Sequence, residues 1–299
     1  MSVSFRAAQS KNKRKTFLLL FCMFVFVVAV IWAVSQLVGY GSVWIVPIAV
    51  GLALVGVWAS YWSSDKIVMK MTNAKVIDHA TAPQLFNVVD EVRIAAGLPM
   101  PTVAIVDDPA PNAFATGRDP DHAVIAFTTG LLATMDREQL QGVTAHEMAH
   151  VGNRDTLVMA VAATTAGLIA IIADIGIRMS FFTRRDEGSN PIAAIAGIVI
   201  LLLAPIAALL MRSAVSRKRE SLADATAVQF TRNPAGLRRA LETLAADSTV
   251  VHERSNAVSH VWIESPLEGK SKSLFDTHPP ISERIEILRA MEQSGPGPA

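Results

Sequence analysis

Four long apolar blocks limit what this chain can fold into. They cover residues 16–38, 43–62, 157–177 and 192–211. Each supplies the roughly 20 residues that a helix needs to cross a bilayer core. Of the 299 residues 51% are hydrophobic and only 18% charged, against about a quarter in soluble domains. The missing charge is missing from these blocks. The first is too long for a signal peptide and lacks a small-residue cleavage site. Gly39-Tyr40-Gly41-Ser42 makes the first two blocks a tight hairpin. Arg6, Lys11, Lys13, Arg14 and Lys15 precede the pair and Lys66, Lys70 and Lys75 follow it. The positive-inside rule therefore puts both flanks in the cytoplasm. The third and fourth blocks are rich in Ala and Gly, which favours contact with other helices in lipid. If both span, the loop with Arg178, Arg184 and Arg185 lies outside, against the same rule. Full crossing and partial crossing both remain open for this pair, and both return the chain to the same face.

The blocks divide the chain into a tail and first hairpin (1–64), a polar segment (65–155), a second hairpin (156–212) and a second polar segment (213–299). In the first polar segment, Pro83 starts a helix whose Leu85, Val88, Val89 and Val92 repeat at helical spacing up to Gly97. Thr102 to Val106 alternates like a strand, and Asn112 to Thr116 and Ala123 to Phe127 give two more across a turn-rich link. Asp136 with Gln139 forms a capping box for a further helix. After the second hairpin, helices are expected over 216–230, from Pro234 to about Ala245, and from Pro280 to about Met291. A formal net charge of +1 and no basic stripe interleaved with aromatics exclude nucleic acid as a partner. The single cysteine, Cys22, cannot build a disulfide or a cysteine metal site.

The capped helix carries His146-Glu147-Met148-Ala149-His150. Residues four apart share a helix face, so two imidazoles converge on one tetrahedral zinc ion. Glu147 beside them can take a proton from water at the metal. Two solvated histidines on a surface helix would give the same spacing, so the third ligand matters. Catalytic zinc takes three protein ligands and keeps one open position. Glu220-Ser221-Leu222-Ala223-Asp224 sets two carboxylates on one face, Glu220 as that ligand and Asp224 as acceptor from the far nitrogen of a ligand histidine. Taken alone, Glu-x-x-x-Asp also fits a solvated helix after a membrane segment.

His-Glu-x-x-His, a hydrophobic hairpin and then Ser-Arg-x-x-Glu-x-x-Ala-Asp together resemble the M48 family of membrane metalloproteases, in its HtpX-like branch. Pro111 to Gly117 and Thr277-His278-Pro279-Pro280 with Arg284 extend the resemblance over nearly the whole chain. Ser221 departs from the family's usual aromatic, at a position that is not a ligand. The resemblance implies a mainly α (α+β) integral membrane protein: transmembrane helices plus a gluzincin-type zinc protease domain with a small β-sheet. It implies that Asn112, Ala113 and Phe114 form an edge strand pairing with the substrate peptide, as strand addition allows. It implies that His278 donates to the oxyanion, supported by Arg284. A plain strand and a proline-started helix are the bland alternatives for these segments. It further implies one zinc per subunit, polypeptide substrates drawn from membrane or misfolded proteins, and an inner-membrane protease facing the cytoplasm. His79, His122, His252 and His260 have no partner motif and read as surface residues.

His150 lies a few residues before the third block and Glu220 nine after Met211. At about 1.5 Å per helical residue, the zinc would sit within roughly 15 Å of the hydrophobic boundary. A site-2-type intramembrane protease is a weaker reading. Arg137, Glu138, Gln139 and Gln141 make the zinc helix polar, and Asn233-Pro234-Ala235-Gly236 lacks the aspartate of that class. An inactive membrane scaffold or holdase would show a broken metal set. A transporter would carry ionisable groups in its spans, where Asp174 is the one clear case. Oligomeric state and substrate preference are not encoded in any motif.

Overall fold

The computed structural model of the chain describes residues 61–159, 217–247 and 280–293, with scattered helical positions between 14 and 58. The elements in chain order are α1 (Ser64–Met71), β1 (Lys75–Val76), α2 (Pro83–Ala96), β2 (Thr102–Val106), β3 (Ala113–Thr116), β4 (Val124–Thr128), α3 (Thr129–Thr134), α4 (Arg137–Asn153), α5 (Arg217–Thr231), α6 (Pro234–Ala246) and α7 (Ile281–Gln293). The described part is thus mainly helical with one small mixed sheet. No helix among the described residues is long and apolar enough to cross a membrane. The four apolar blocks fall largely outside those residues.

The sheet has the order β1-β2-β4-β3. β2 and β4 run parallel, while β1 and β3 are antiparallel additions at the two edges. Strand side chains alternate between faces, and here both faces are buried. Val103, Ala113, Ala115, Ile125 and Phe127 point into the main core with the helices. Ala104, Val106, Phe114, Val124 and Ala126 point the other way, where Val68, Met69 and Met71 of α1 cover them. α1 is too short to announce itself by periodicity, and Val68 is its one fully buried hydrophobic residue.

Helix α2 contributes Leu85, Val88, Val89 and Val92 to the interior. Burying four such side chains stabilises by about 1.5–3 kcal/mol each, as an upper bound against an extended chain. Gly97 then ends the helix in the left-handed conformation at φ 64°, as a C-terminal glycine commonly does. α4 lies against α2, α5 and α6. Its first turn is polar and exposed, but every residue from Gly142 to Asn153 is buried. The exposed polar residues expected of this helix are therefore confined to its start, and the polar residues beyond them are enclosed with the rest. Close approach of α6 requires glycine: a Cβ on Gly142 would stand 2.5 Å from the Leu237 backbone nitrogen.

Helix α4 starts at the expected capping box. The Asp136 side chain accepts from the Gln139 N–H, and the Gln139 side chain accepts from the Asp136 N–H. It stops at Arg154, which takes a left-handed conformation at φ 59°. Helix resumes over 155–159. Asn233-Pro234 is the start of α6, with the Asn233 Oδ1 accepting from the Gly236 N–H at 3.2 Å. That asparagine is a helix cap.

Candidate metal centre

His146 and His150 stand one turn apart on α4, with ring centroids 4.7 Å apart and planes at 89°. α5 crosses α4 and brings Glu220 from its first turn, with Asp224 one turn further along the same face. α7 packs on α6 and α5 through Leu288, and Arg284, one turn earlier, reaches the same spot. Seven groups meet here: His146, Glu147, His150, Asp155, Glu220, Asp224 and Arg284. None is more than 4% exposed. So many ionisable groups stay buried only when they pair with one another or hold a metal.

The outer nitrogen of each imidazole is spoken for. The His146 Nδ1 lies 2.9 Å from the Asp224 Oδ1, and the His150 Nδ1 lies 3.1 Å from the Asp155 Oδ2. In the neutral imidazoles each Nδ1–H donates to a carboxylate, which leaves both Nε2 lone pairs for a metal; in the metal-free protein at neutral pH His146 carries a further proton, which a cation must displace. The two Nε2 atoms approach to 3.2 Å. With no hydrogen between them, this contact is not a hydrogen bond in the neutral tautomers. Arg284 donates from Nε (2.9 Å) and Nη2 (2.7 Å) to the two oxygens of Asp224. Its 3.4 Å approach to the His146 Nδ1 follows from sharing that oxygen.

Glu220 completes the set, with Oε2 3.5 Å from the His146 Nε2 and Oε1 3.7 Å from the His150 Nε2. One ligand atom from each of the three residues lies within 4.8 Å of the others. Zinc bonds of about 2.0–2.2 Å in a tetrahedron put ligand atoms roughly 3.3–3.5 Å apart. The spacing, the tautomers and the burial all fit a divalent cation. Oriented imidazoles and a carboxylate are its preferred donors, with the aspartates holding the rings from outside.

Electrostatics follow from this geometry. Burial works against charging His146, but its hydrogen bond to Asp224 and the neighbouring Glu220 outweigh it and push the imidazole up to about 9. Burial would raise Asp224, but the Arg284 guanidinium holds it down at about 2. Burial likewise opposes the charge on Arg284, and Asp224 more than compensates. Glu147 is raised chiefly by burial, with the histidines opposing. A carboxyl so placed both accepts and returns a proton more readily near neutral pH.

His146, Glu147, His150, Glu220 and Asp224 are thus brought together, and Arg284, expected beside His278, joins them through Asp224. His278 falls outside the described residues, as do His252 and His260. His79 and His122 are exposed. Asn112, Ala113 and Phe114 are buried, and β3 forms a sheet edge beside α4. The Thr128 N–H donates to the Asn112 carbonyl at 2.9 Å, which sets the phase of the β3–β4 ladder. Bonded pairs alternate along such a ladder, so Ala113 and Ala115 turn their backbone groups to the outer edge. The Asn112 Oδ1 accepts from the Ala113 N–H at 3.0 Å. Asp155 was missed by sequence reasoning, because five residues from His150 is not a shared face on a continuous helix. The left-handed Arg154 breaks that periodicity and folds Asp155 back; no local pattern announces such a turn at an arginine.

The model of Peptidase family M48 matches residues 79–292. The chain is 42% identical over 290 residues to a protease HtpX homolog of Caldanaerobacter subterraneus subsp. tengcongensis, covering 95% of this chain and 96% of that one. It is 47% identical over 252 residues to a protease HtpX homolog of Syntrophobacter fumaroxidans, covering 82% and 89%. The crystal structure of S. mikatae Ste24p is similar at 16% identity with a TM-score of 0.48, covering 94% of this chain and 66% of that one. A family match over more than two thirds of the chain, together with relatives of this identity along nearly their whole length, makes this protein a member of peptidase family M48.

Proposed function

We propose that the chain is a zinc-dependent membrane endopeptidase in which His146, His150 and Glu220 hold one zinc ion and Glu147 is the general base. The observation that carries this reading is the enclosed donor set itself: two imidazole Nε2 atoms 3.2 Å apart, facing a glutamate from another helix. Bound there, zinc supplies Lewis-acid polarisation of a scissile carbonyl and lowers the pKa of water toward neutrality. Glu147 accepts the proton from the attacking water at its carboxylate and returns it to the leaving amine. Asp224 and Asp155 keep both histidines in the tautomer that leaves Nε2 free. No covalent attachment of the substrate to the chain is needed.

The outward backbone groups of Ala113 and Ala115 support edge-strand capture of an extended peptide over residues 112–114. Main-chain pairing of that kind tolerates many sequences. In this arrangement the Asn112 side chain holds the Ala113 N–H until a substrate carbonyl takes its place. In this reading His278 donates to the developing oxyanion, and Arg284 keeps Asp224 charged against His146. The four apolar blocks, in the same reading, anchor the enzyme in the inner membrane, with this site on the cytoplasmic side. Helical positions within the first two support that placement, since Phe17, Leu18, Phe21, Val55 and Trp58 are all more than half exposed. Membrane-anchored or misfolded polypeptides are then the substrates, and quality control of membrane proteins is the role.

The test is proteolysis of a loosely folded protein by the detergent-purified chain, with zinc, beside Glu147→Gln and a chelator control. Cleavage should require zinc and drop by about 10²–10⁴-fold or more in Glu147→Gln, while the variant keeps its zinc. A zinc-loaded wild type that cleaves neither soluble nor membrane-anchored substrates would favour the scaffold reading.

A further inference from the structure

The two ligand histidines are backed in parallel ways, and the second backing has no counterpart in any motif of the sequence. On one side the chain of contacts runs His146, Asp224, Arg284. On the other it runs His150, Asp155, Arg219: the Asp155 Oδ2 takes the imidazole at 3.1 Å, and its Oδ1 faces the Arg219 Nε at 3.7 Å. Asp155 is fully buried and Arg219 is 7% exposed. Arg219 directly precedes Glu220 on α5, so this contact links the second histidine to the helix carrying the third ligand.

Charge explains why both arginines are there. A buried aspartate that only accepts from a neutral imidazole keeps its full negative charge, which is costly without a cation. Arg284 offsets Asp224 and Arg219 offsets Asp155. What remains around the Nε2 atoms is Glu220 and Glu147, two carboxylates for one dication. Without Arg219, Asp155 would lose the buried cation beside its Oδ1 and with it the link from His150 to the helix that carries Glu220.

We infer that Asp155 and Arg219 are positioning residues that fix His150 against Glu220 before metal arrives, so that metal affinity depends on their contact. This rests on the zinc reading above. It assigns neither residue a contact with substrate. The contact also joins the two ends of the segment that carries the third and fourth apolar blocks, so a displacement of either end would be felt first as weakened metal binding.

The test is the zinc dissociation constant of the full-length protein in detergent, by competition with a chromogenic chelator, for wild type, Asp155→Asn, Arg219→Met and Arg219→Lys. Thermal unfolding of each metal-free protein is measured alongside. Removing an outer partner of a metal ligand costs about 10–100-fold in affinity. That loss is expected for Asp155→Asn and Arg219→Met, and Arg219→Lys, which keeps the charge, should recover most of it. The visible spectrum of the Co²⁺-substituted protein should shift in the two weakened variants. Affinity within twofold of wild type in both, or a loss confined to metal-free stability, overturns the inference and leaves the zinc reading standing. If Arg219→Met does not fold, unchanged affinity in Asp155→Asn overturns it alone. A wild type that binds no zinc overturns both.

Discussion

Removing the Arg284 guanidinium tests how the buried charges around the histidines are balanced. In Arg284→Met the apolar stem is kept to about the position of Nε, and the guanidinium is lost with its charge and its hydrogen bonds. Asp224, 3% exposed, loses donors at 2.9 and 2.7 Å. Its carboxyl stands at about 2 against an ordinary 3.8, a difference equivalent to about 2 kcal/mol. Because the folded value lies below the unfolded one, that contribution is present above pH ~4 and lost as pH falls through about 2; at neutral pH it is complete. His146 shares in that difference, so the larger expected loss is that of taking one partner from a buried ion pair, about 3–5 kcal/mol. For a domain of this size each kcal/mol moves Tm by about 2–4 °C, so a drop of roughly 6–20 °C is expected. The assay is thermal unfolding in detergent at one scan rate, with chelator present so that metal affinity does not contribute. The double variant Arg284→Met with Asp224→Asn should regain at least about 1 kcal/mol relative to the sum of the single losses. Losses that add to within about 0.5 kcal/mol would show that the two residues are not coupled, and the charge-balance reasoning would fail.

Three other outcomes follow from the same geometry. Gly142→Ala would place a Cβ 2.5 Å from the Leu237 nitrogen and 2.7 Å from its Cα; separating α4 from α6 should cost about 2 kcal/mol or more despite alanine's better helix propensity, and a Tm equal to wild type would contradict so close a crossing. The His146 imidazole, raised from 6.5 to about 9, contributes stability to the metal-free protein that is full below 6.5 and lost as pH rises through 9. A cation must displace that proton, so zinc affinity should fall about tenfold per pH unit below about 9; competition titrations that give a flat profile between about pH 6 and 9 would refute this. Asp136→Ala removes the capping box of α4 and should lower stability by about 1 kcal/mol, read as a small Tm shift with zinc stoichiometry unchanged.

Much of this architecture was legible in the sequence because its signals are local. β2 was read at its observed bounds from β-branched alternation, α2, α5 and α6 came within a residue or two of theirs, and the start of α4 followed from its Asp136 capping box. His146, His150 and Glu220 were legible because helix spacing and metal coordination impose the same geometry. What was not legible depended on tertiary context. α1 is one short helix whose reason to exist is the apolar outer face of the sheet, which cannot be seen before the sheet is assembled. β1 is two exposed residues that pair only because β2 offers an edge. Burial all round the second half of α4 is set by the helices packed on it, three of them distant in sequence or following the second hairpin. Asp155 escaped because it joins the site through a left-handed Arg154, a backbone choice that glycine would have advertised and arginine does not.

The most direct test of a zinc centre at His146, His150 and Glu220 is X-ray absorption at the zinc edge on the detergent-purified chain, with metal content measured on the same sample. The expected result is one zinc per chain with two imidazole nitrogens and oxygen donors at about 2.0–2.2 Å, and loss of that signal in Glu220→Ala. A wild type without stoichiometric zinc, or a Glu220→Ala variant with the same signal and affinity, would contradict it.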